Sequence, residues 1–393
     1  MGKLLGKAQY RDILLGTGLL WATFALVLWP DQAIGAMRDG ITLCGNVILP
    51  SLFPFFVLSS LVVELGMSRY LGRLLEPVMA PLFRVNGSCA AALALGFVGG
   101  YPVGARTAIQ IYENGQCSRT EAERMLAFCN NSGPAFILGV VGAGVFGSGT
   151  VGLLLCLIHL LASLCVGLLF RFYKPREGPQ TLRGRSPQFQ AVRFSKAFPR
   201  SVTGALQSTL NICAFILFFT VFLRILAHAG ILAAAARLLT ALLSPLGMDQ
   251  FWAERLLTGL MEVSSGVSSL TDGTLSGRLS MAAFMLGWAG ISVHCQVLAF
   301  LGDSGLSVRT YVLGKLLHGT ISAGLAALLY RIIPLSAPAS VYLAEQTEAI
   351  AQLDFQQAIA LSAAVSWGVW LAFLALSVYV VQKNSGKRRR NVI

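Results

Sequence analysis

Charged residues are scarce in this sequence: Asp, Glu, Lys and Arg make up 12% of its 393 residues, while 55% are hydrophobic. A soluble domain carries about 25% charged residues, so this composition excludes that class and indicates a polytopic membrane protein. Acidic residues are scarcer than basic ones: the chain has 17 Asp and Glu against 30 Lys and Arg, which gives a formal net charge of +13. The basic residues lie mostly in short segments between apolar runs, as in cytoplasmic loops, so we expect no nucleic-acid partner.

The sequence also lacks the motifs of metal sites, cofactor sites and enzymes. Its eight cysteines are scattered, with no Cys-x-x-Cys pair, which argues against a disulfide framework or a structural zinc site. There is no Walker A motif and no G-x-S-x-G nucleophile elbow. His159, His228 and His318 are isolated in the sequence, and we assign them no role. We therefore expect no metal, no cofactor and no enzymatic activity.

The apolar runs predict an all-α polytopic membrane protein with about eight transmembrane crossings. Basic residues before the first run and after the last one place both termini in the cytoplasm. The predicted segments are an N-terminal transmembrane helix at 1–32, a first repeat at 33–172, a basic cytoplasmic linker at 173–200, a second repeat at 201–333, and an acidic outer loop, last transmembrane helix and basic cytoplasmic tail at 334–393.

Four apolar stretches are interrupted by helix-breaking or polar residues, two in each half of the chain. Glycines and a proline interrupt 96–106, and Asn130-Asn131-Ser132-Gly133-Pro134 interrupts the next stretch. Stretches 259–269 and 285–296 occupy the corresponding places in the second half. We interpret them as two re-entrant hairpins and two broken helices. An odd number of crossings in the first half predicts that the second repeat is inverted.

Broken helices at membrane depth expose backbone groups that need partners, and half-helix N-termini favour an anion. The sequence therefore predicts a site for a small anionic solute between the repeats. Its candidate residues are Gly99, Gly100, Tyr101, Pro102, Arg106, Asn130, Asn131, Ser132, Gly133, Glu262, Ser264, Ser265, Ser292 and His294.

Each candidate side chain also has a structural interpretation. Arg106 either binds a carboxylate through its guanidinium or snorkels to the interface. Tyr101 either stacks on a ring or packs. Asn130 and its neighbours either bind solute or satisfy backbone groups freed by Pro134, and we favour solute because adjacent amides in hydrocarbon are costly.

Glu262 is the candidate with the most alternatives. Its carboxylate costs about 2.5–3.5 kcal/mol in an apolar run unless it is paired or protonated. It either pairs with Arg106, binds a coupling proton or Na⁺, or forms a structural ion pair. His294 is either a proton carrier or a hydrogen-bonded packing residue.

The first-half motif resembles a known family. The run Gly-Gly-Tyr-Pro-Val-Gly-Ala-Arg at 99–106, followed by Glu-Ala-Glu-Arg-Met-Leu-Ala-Phe-Cys-Asn-Asn-Ser-Gly-Pro-Ala-Phe-Ile-Leu-Gly at 121–139, is similar to the YlbJ (SpoVV) family of sporulation integral membrane proteins. This resemblance covers roughly 35–335. It implies Gate-like nucleoside-recognition repeats, an architecture related to concentrative nucleoside transporters, and an endospore-forming bacterium. It also implies a location in a bacterial inner membrane and transport of dipicolinate out of the mother cell across the outer forespore membrane.

Export of such a dianion from a negative interior gains about 2.3 kcal/mol per charge per 100 mV, which favours an uncoupled mechanism. Two alternatives stay open. One is a nucleoside-like metabolite carrier coupled to Na⁺ or H⁺. The other is a non-transporting scaffold for spore-envelope assembly, acting through the basic linker and tail. Beyond the solute and the lipid bilayer, we expect a homo-oligomer or other sporulation membrane proteins as partners.

Overall fold

The computed structural model describes residues 7–65, 67–134, 136–175, 194–302 and 304–333, together with isolated positions between 364 and 379. These residues form helices and no strand, so the all-α prediction is confirmed for this part of the chain. The predicted outer loop, most of the linker and most of the predicted last transmembrane helix lie outside the described residues.

The chain begins with two helices that meet at a sharp bend. Helix α1 spans Lys7–Leu28 and α2 spans Pro30–Leu43, with 95° between the two helical segments. Pro30 opens α2, where a proline costs no helical hydrogen bond and has a suitable φ. A turn of π-helix, Cys44–Ile48, then leads into α3, Leu49–Glu64.

The next helices contain the first pair of predicted breaks. Helix α4, Met67–Phe83, turns by 93° into a 3-10 turn, Gly87–Cys89, and α5, Ala90–Gly99. Ser118 and Glu121 form a capping box that starts α7, Arg119–Leu126. The elements are α4 (Met67–Phe83), the 3-10 turn (Gly87–Cys89), α5 (Ala90–Gly99), α6 (Val103–Glu113), α7 (Arg119–Leu126), a π-helix (Phe136–Val145) and α8 (Gly149–Phe170).

The second half has a similar succession of elements. Helix α9 begins at Phe194, within the segment that the sequence assigns to the linker. The elements are α9 (Phe194–His228), α10 (Ile231–Leu243), a 3-10 turn (Ser244–Leu246), α11 (Gln250–Met261), α12 (Val263–Ser268), α13 (Leu275–Trp288), α14 (Gly290–Leu301) and α15 (Val308–Ile332).

Several helices are long and apolar enough to cross a membrane. Within the described residues, four segments qualify: Gly149–Phe170, Phe194–His228, Leu275–Leu301 and Val308–Ile332. The number rises to six if each of the two bent pairs counts as one span. The described part of the chain is therefore that of a multi-pass membrane protein with four to six candidate spans.

The chain folds as two compact units. One comprises Met1–Pro50 and Ile212–Glu254. Within it, the Arg224 guanidinium lies 2.9 Å from the Asp39 carboxylate. The other comprises Ser51–Asn211 and Arg255–Ile393, and it contains all four predicted breaks.

A buried carboxylate joins three segments of the larger unit. The Glu123 carboxylate on α7 accepts hydrogen bonds from the Arg119 Nε (3.0 Å), the Ser307 N–H (3.1 Å), the Tyr173 hydroxyl (2.9 Å) and the Lys174 Nζ (3.1 Å). Burial by itself raises the pKa of Glu123, but the hydrogen bonds from Lys174, Arg119 and Tyr173 outweigh it and leave the pKa lowered. This carboxylate therefore fastens α7 to the end of α8 and the start of α15.

Candidate functional site

The first hairpin packs against the first broken helix through two glycines. A Cβ at Gly96 would lie 2.0 Å from the Cys129 carbonyl oxygen, and a Cβ at Gly104 would lie 1.9 Å from it. A Cβ at Gly104 would also be 2.9 Å from the Cα of Gly96. Helices α5 and α6 can therefore cross each other, and the backbone of the break, only because neither position has a side chain.

The turn of this hairpin faces the polar break directly. Gly100 has a φ of +76°, and a Cβ there would lie 2.9 Å from the Gly133 nitrogen. Tyr101 and Pro102 follow, joined by a cis peptide bond, and Gly99 closes α5. The structure thus brings the predicted residues of 99–102 and 130–133 together.

The polar residues of the first break are buried in the unit. Asn130 and Asn131 are fully buried and Ser132 is 2% exposed. The Asn131 side-chain amide donates to the Phe128 carbonyl at 3.0 Å, which satisfies a helix end. The Ser132 backbone N–H donates to His159 Nε2 at 2.9 Å. Part of this polarity therefore has a structural role.

The second hairpin is built around Glu262. Its carboxylate accepts the backbone N–H groups of Ser264 (2.9 Å) and Ser265 (2.7 Å), so Glu262 caps α12. Ser265 is exposed and Ser264 half-buried. A Cβ at Gly290, whose φ is +82°, would lie 3.0 Å from the Val263 nitrogen. The break between α13 and α14 therefore packs on the Glu262 turn.

Tyr311 on α15 links the two breaks. The Asn130 side-chain amide donates to the Tyr311 hydroxyl at 3.2 Å, and His294 Nδ1 lies 3.0 Å from the same hydroxyl. The Trp288 ring packs edge-on against His294, with centroids 4.3 Å apart. Ser292 is buried on α14, like His294. Asn130 and His294 thus share a partner that the sequence analysis missed.

The most notable residue that the sequence analysis missed is Lys315. It is fully buried in α15, and its Nζ donates to the Asn130 carbonyl at 2.7 Å. The same Nζ lies 5.9 Å from the centroid of the Tyr101 ring. Among the described residues, Lys315 forms no ion pair with a carboxylate. A lysine inside an apolar helix was itself a signal, because an intramembrane charge usually marks a functional site.

Several buried polar atoms of the first hairpin and the two breaks have no hydrogen-bond partner among the described residues. These atoms are the Tyr101 hydroxyl, Asn130 Oδ1, Asn131 Oδ1, Ser132 Oγ and His294 Nε2. Buried polar groups are almost always satisfied, so a group of exceptions needs an explanation. The first hairpin and the two breaks therefore hold donors and acceptors that no described protein atom uses.

Arg106 and Glu262 do not pair among the described residues. The Arg106 guanidinium lies over the Phe56 ring, 4.8 Å from its centroid, and a Cβ at Gly204 would lie 3.4 Å from Arg106 NH2. Arg106 therefore faces α3 and α9, and Glu262 is occupied as a helix cap. The cation that contacts Asn130 is Lys315.

Comparisons with known proteins bear on the family of this chain. A family model described as nucleoside recognition (Gate) matches residues 47–168, which include the first hairpin and the first broken helix. The sporulation integral membrane protein YlbJ of Bacillus subtilis (strain 168) is 31% identical over 345 residues, which cover 83% of this chain and 85% of that protein. No solved structure matches this chain. With similarity over that share of both chains, this protein belongs to the YlbJ family of sporulation integral membrane proteins.

Proposed function

We propose that this protein is a membrane transporter of a small anionic solute, and that the solute is dipicolinate. The observation that carries the proposal is the buried ammonium of Lys315, hydrogen-bonded to the Asn130 carbonyl at 2.7 Å between two facing backbone breaks. The proposal makes the protein a carrier and not an enzyme.

The charge of Lys315 favours an anionic solute. An ammonium has three N–H donors, and one of them is used by Asn130 among the described residues. Burying an unpaired ion costs several kcal/mol, which an opposite charge brought by a solute would offset. A carboxylate on the solute supplies that charge and accepts the remaining donors.

The surroundings of Lys315 suit a planar aromatic carboxylate. Tyr101 offers a ring face beside the ammonium, and Asn130 and Ser132 offer polar atoms without partners among the described residues. Rigid aromatic and amide groups around one cation would orient a flat ring by stacking and its substituents by hydrogen bonds. Dipicolinate has this shape and carries two carboxylates.

The proposed topology has eight crossings and an inverted repeat. The two halves of the chain share a local geometry that supports this topology. A Cβ at Gly266 would lie 2.2 Å from the Cα of Gly259, so α11 and α12 cross at paired glycines as α5 and α6 do. In each half a positive-φ glycine also lies where the hairpin contacts the broken helix: Gly100 in the turn of the first hairpin, and Gly290 in the break between α13 and α14. Inverted repeats with the site at their interface are the layout of secondary transporters.

The proposed location is the outer forespore membrane, with both termini in the mother-cell cytoplasm. The name of the Bacillus subtilis relative places that protein in sporulation. The proposed partners are the lipid bilayer together with further copies of this chain or other sporulation membrane proteins.

A nucleoside-like metabolite is the second candidate solute. The description of the matching family model as nucleoside recognition favours it. Neutral polar atoms such as Asn131 Oδ1 and Ser132 Oγ suit the hydrogen-bonding edges of a base. An uncharged solute would leave the Lys315 charge without a counter-ion, which is why we prefer the anion.

The test is dipicolinate flux into proteoliposomes that contain the purified chain. Wild type is compared with Lys315→Met, and with Arg237→Met as a matched control, because Arg237 is an exposed cation in the other unit. We expect flux in wild type and in the control, and loss of flux in Lys315→Met. Excess uridine or adenosine is added in a parallel series.

Three results would overturn the proposal. Folded wild-type protein without flux would refute dipicolinate as the solute. Equal flux in Lys315→Met would refute the buried ammonium as its binding group. Strong competition by nucleosides, with their own saturable uptake, would favour the second candidate.

A further inference from the structure

Two histidines that are isolated in the sequence are in contact in the larger unit. His159 on α8 and His318 on α15 have ring centroids 4.4 Å apart, with 35° between the ring planes. Both are buried, at 2% and 0% exposure. The anion site proposed above does not use either ring.

Hydrogen bonds fix the tautomer of each ring in the neutral pair. The Ser132 backbone N–H donates to His159 Nε2 at 2.9 Å, so that nitrogen is unprotonated and Nδ1 carries the proton. His318 Nε2 lies 3.0 Å from the His159 carbonyl oxygen, which can only accept, so this Nε2 is protonated. The lone pair of His318 therefore lies on Nδ1, which has no partner among the described residues.

The histidine pair is connected to the solute site on two sides. His318 and Lys315 lie three residues apart on α15, hence on the same helix face. His159 holds the backbone of Ser132, two residues after Asn130, whose carbonyl binds Lys315. A charge on either group therefore acts on the other through a short, buried distance.

Other helices packed on α8 and α15 carry ionisable groups that have partners of their own. On α7, Glu123 pairs with Arg119 and Lys174, Glu121 accepts the Asn86 N–H, and Arg124 donates to the Tyr173 carbonyl. The Glu76 carboxylate on α4 accepts the Gly87 N–H, and His294 on α14 contacts the Tyr311 hydroxyl.

Helix α13 has a single ionisable side chain, Arg278, whose guanidinium binds the Leu270 and Val145 carbonyls at 2.7 and 3.0 Å. The π-helix Phe136–Val145 has no ionisable residue. The break adds the thiol of Cys129, and α15 adds Lys315. Lys315 is thus the charge that opposes a proton on the pair.

From this arrangement we infer that the His159–His318 pair takes up one proton, on His318 Nδ1, when a dicarboxylate binds at Lys315. The inference rests on the proposed function and deepens it. A dianion beside one buried ammonium leaves one negative charge uncompensated, and burying a net charge is costly. A proton on the pair makes the site neutral. Solute transport is then coupled to a proton, in contrast to the uncoupled export that the charge of the solute alone predicts.

The test is isothermal titration calorimetry of the full chain in detergent, repeated in buffers of different ionisation enthalpy. The slope of the observed heat against that enthalpy gives the protons taken up per bound molecule. Wild type, His318→Gln and His228→Gln are titrated with dipicolinate. His228 is an exposed histidine in the other unit and serves as the matched control. Picolinate, with one carboxylate, is the matched ligand.

We expect uptake of one proton with dipicolinate in wild type and His228→Gln, and none with picolinate. His318→Gln should take up no proton and bind dipicolinate more weakly. Dipicolinate binding without proton uptake in wild type would overturn this inference and leave the proposed function intact. Absence of dipicolinate binding to folded wild type would overturn both.

A pH series on wild type avoids any question of whether a variant folds. Because linkage is reciprocal, the dipicolinate affinity should rise as the pH falls, by up to about tenfold per pH unit, whereas the picolinate affinity should change much less. Equal pH dependence of the two ligands would overturn the inference.

Discussion

Replacing Gly104 by alanine tests the crossing on which the site is built. An added Cβ would lie 1.9 Å from the Cys129 oxygen, 2.8 Å from the Cys129 carbonyl carbon and 2.9 Å from the Cα of Gly96. All three atoms belong to the backbone, so no side chain can rotate away. We expect α6 or the break to shift by more than an ångström.

The magnitude follows from two opposing effects. Alanine in a helix is more favourable than glycine by about 1 kcal/mol. Overpacking a rigid contact costs about 1–3 kcal/mol and occasionally more, and three backbone contacts place Gly104 at or above the top of that range. The net loss is about 2 kcal/mol or more. At about 1–2 °C per kcal/mol for a chain of this length, the melting temperature should fall by roughly 2–4 °C.

The assay is thermal unfolding of the detergent-solubilised protein, with Gly324→Ala as the control. Gly324 is an exposed position inside α15, where a Cβ would meet nothing within 4 Å. The same substitution should therefore raise the melting temperature there. If both variants shift it in the same direction and by similar amounts, the tight crossing of α5, α6 and the break is refuted.

Three further variants probe the interior of the larger unit. Lys315→Met should keep or raise the melting temperature. The loss of the hydrogen bond to Asn130 costs about 1–3 kcal/mol, and removal of an unpaired buried charge offsets this cost. A large drop in the melting temperature would contradict the absence of a counter-ion for Lys315. Tyr311→Phe should lower the free energy of unfolding by about 1–3 kcal/mol in chemical denaturation, since the buried Asn130 and His294 side chains lose their hydrogen bonds to the hydroxyl. A change near zero would argue that Tyr311 does not link Asn130 and His294. Glu123→Gln should destabilise at neutral pH. Because the pKa of Glu123 is lowered in the folded protein, its carboxylate stabilises the fold fully at pH values above its unfolded-state pKa. This stabilisation is lost as the pH falls through the folded-state pKa. Melting curves of Glu123→Gln and wild type should therefore converge in acid, and a constant difference would refute this assignment.

The sequence by itself determined the class of the protein and the positions of its breaks. Scarce charge and long apolar runs are properties of composition, and they dictate helices in a membrane. The glycine-rich turn at 99–104, the amides at 130–131 and the Ser118 cap are local features, because each acts on backbone within a few residues. Helix α1 lies within the N-terminal segment predicted as one transmembrane helix, and Pro30, near the end of that segment, starts a second helix at 95° to the first.

The tertiary structure decided which side chains form the site. Lys315 reaches Asn130 across 185 residues, and His159 meets His318 across 159. The position of Arg106 directly after the glycine-rich turn favours it as the cation of the site, but its guanidinium packs on the Phe56 ring instead. Periodicity shows which residues share one helix face, but it does not show which helices meet. That depends on close crossings such as α13 on α15, where a Cβ at Gly287 would lie 2.6 Å from the Cα of Gly319. The sequence could locate the broken backbone, and only the packing of distant helices could place a lysine and two histidines beside it.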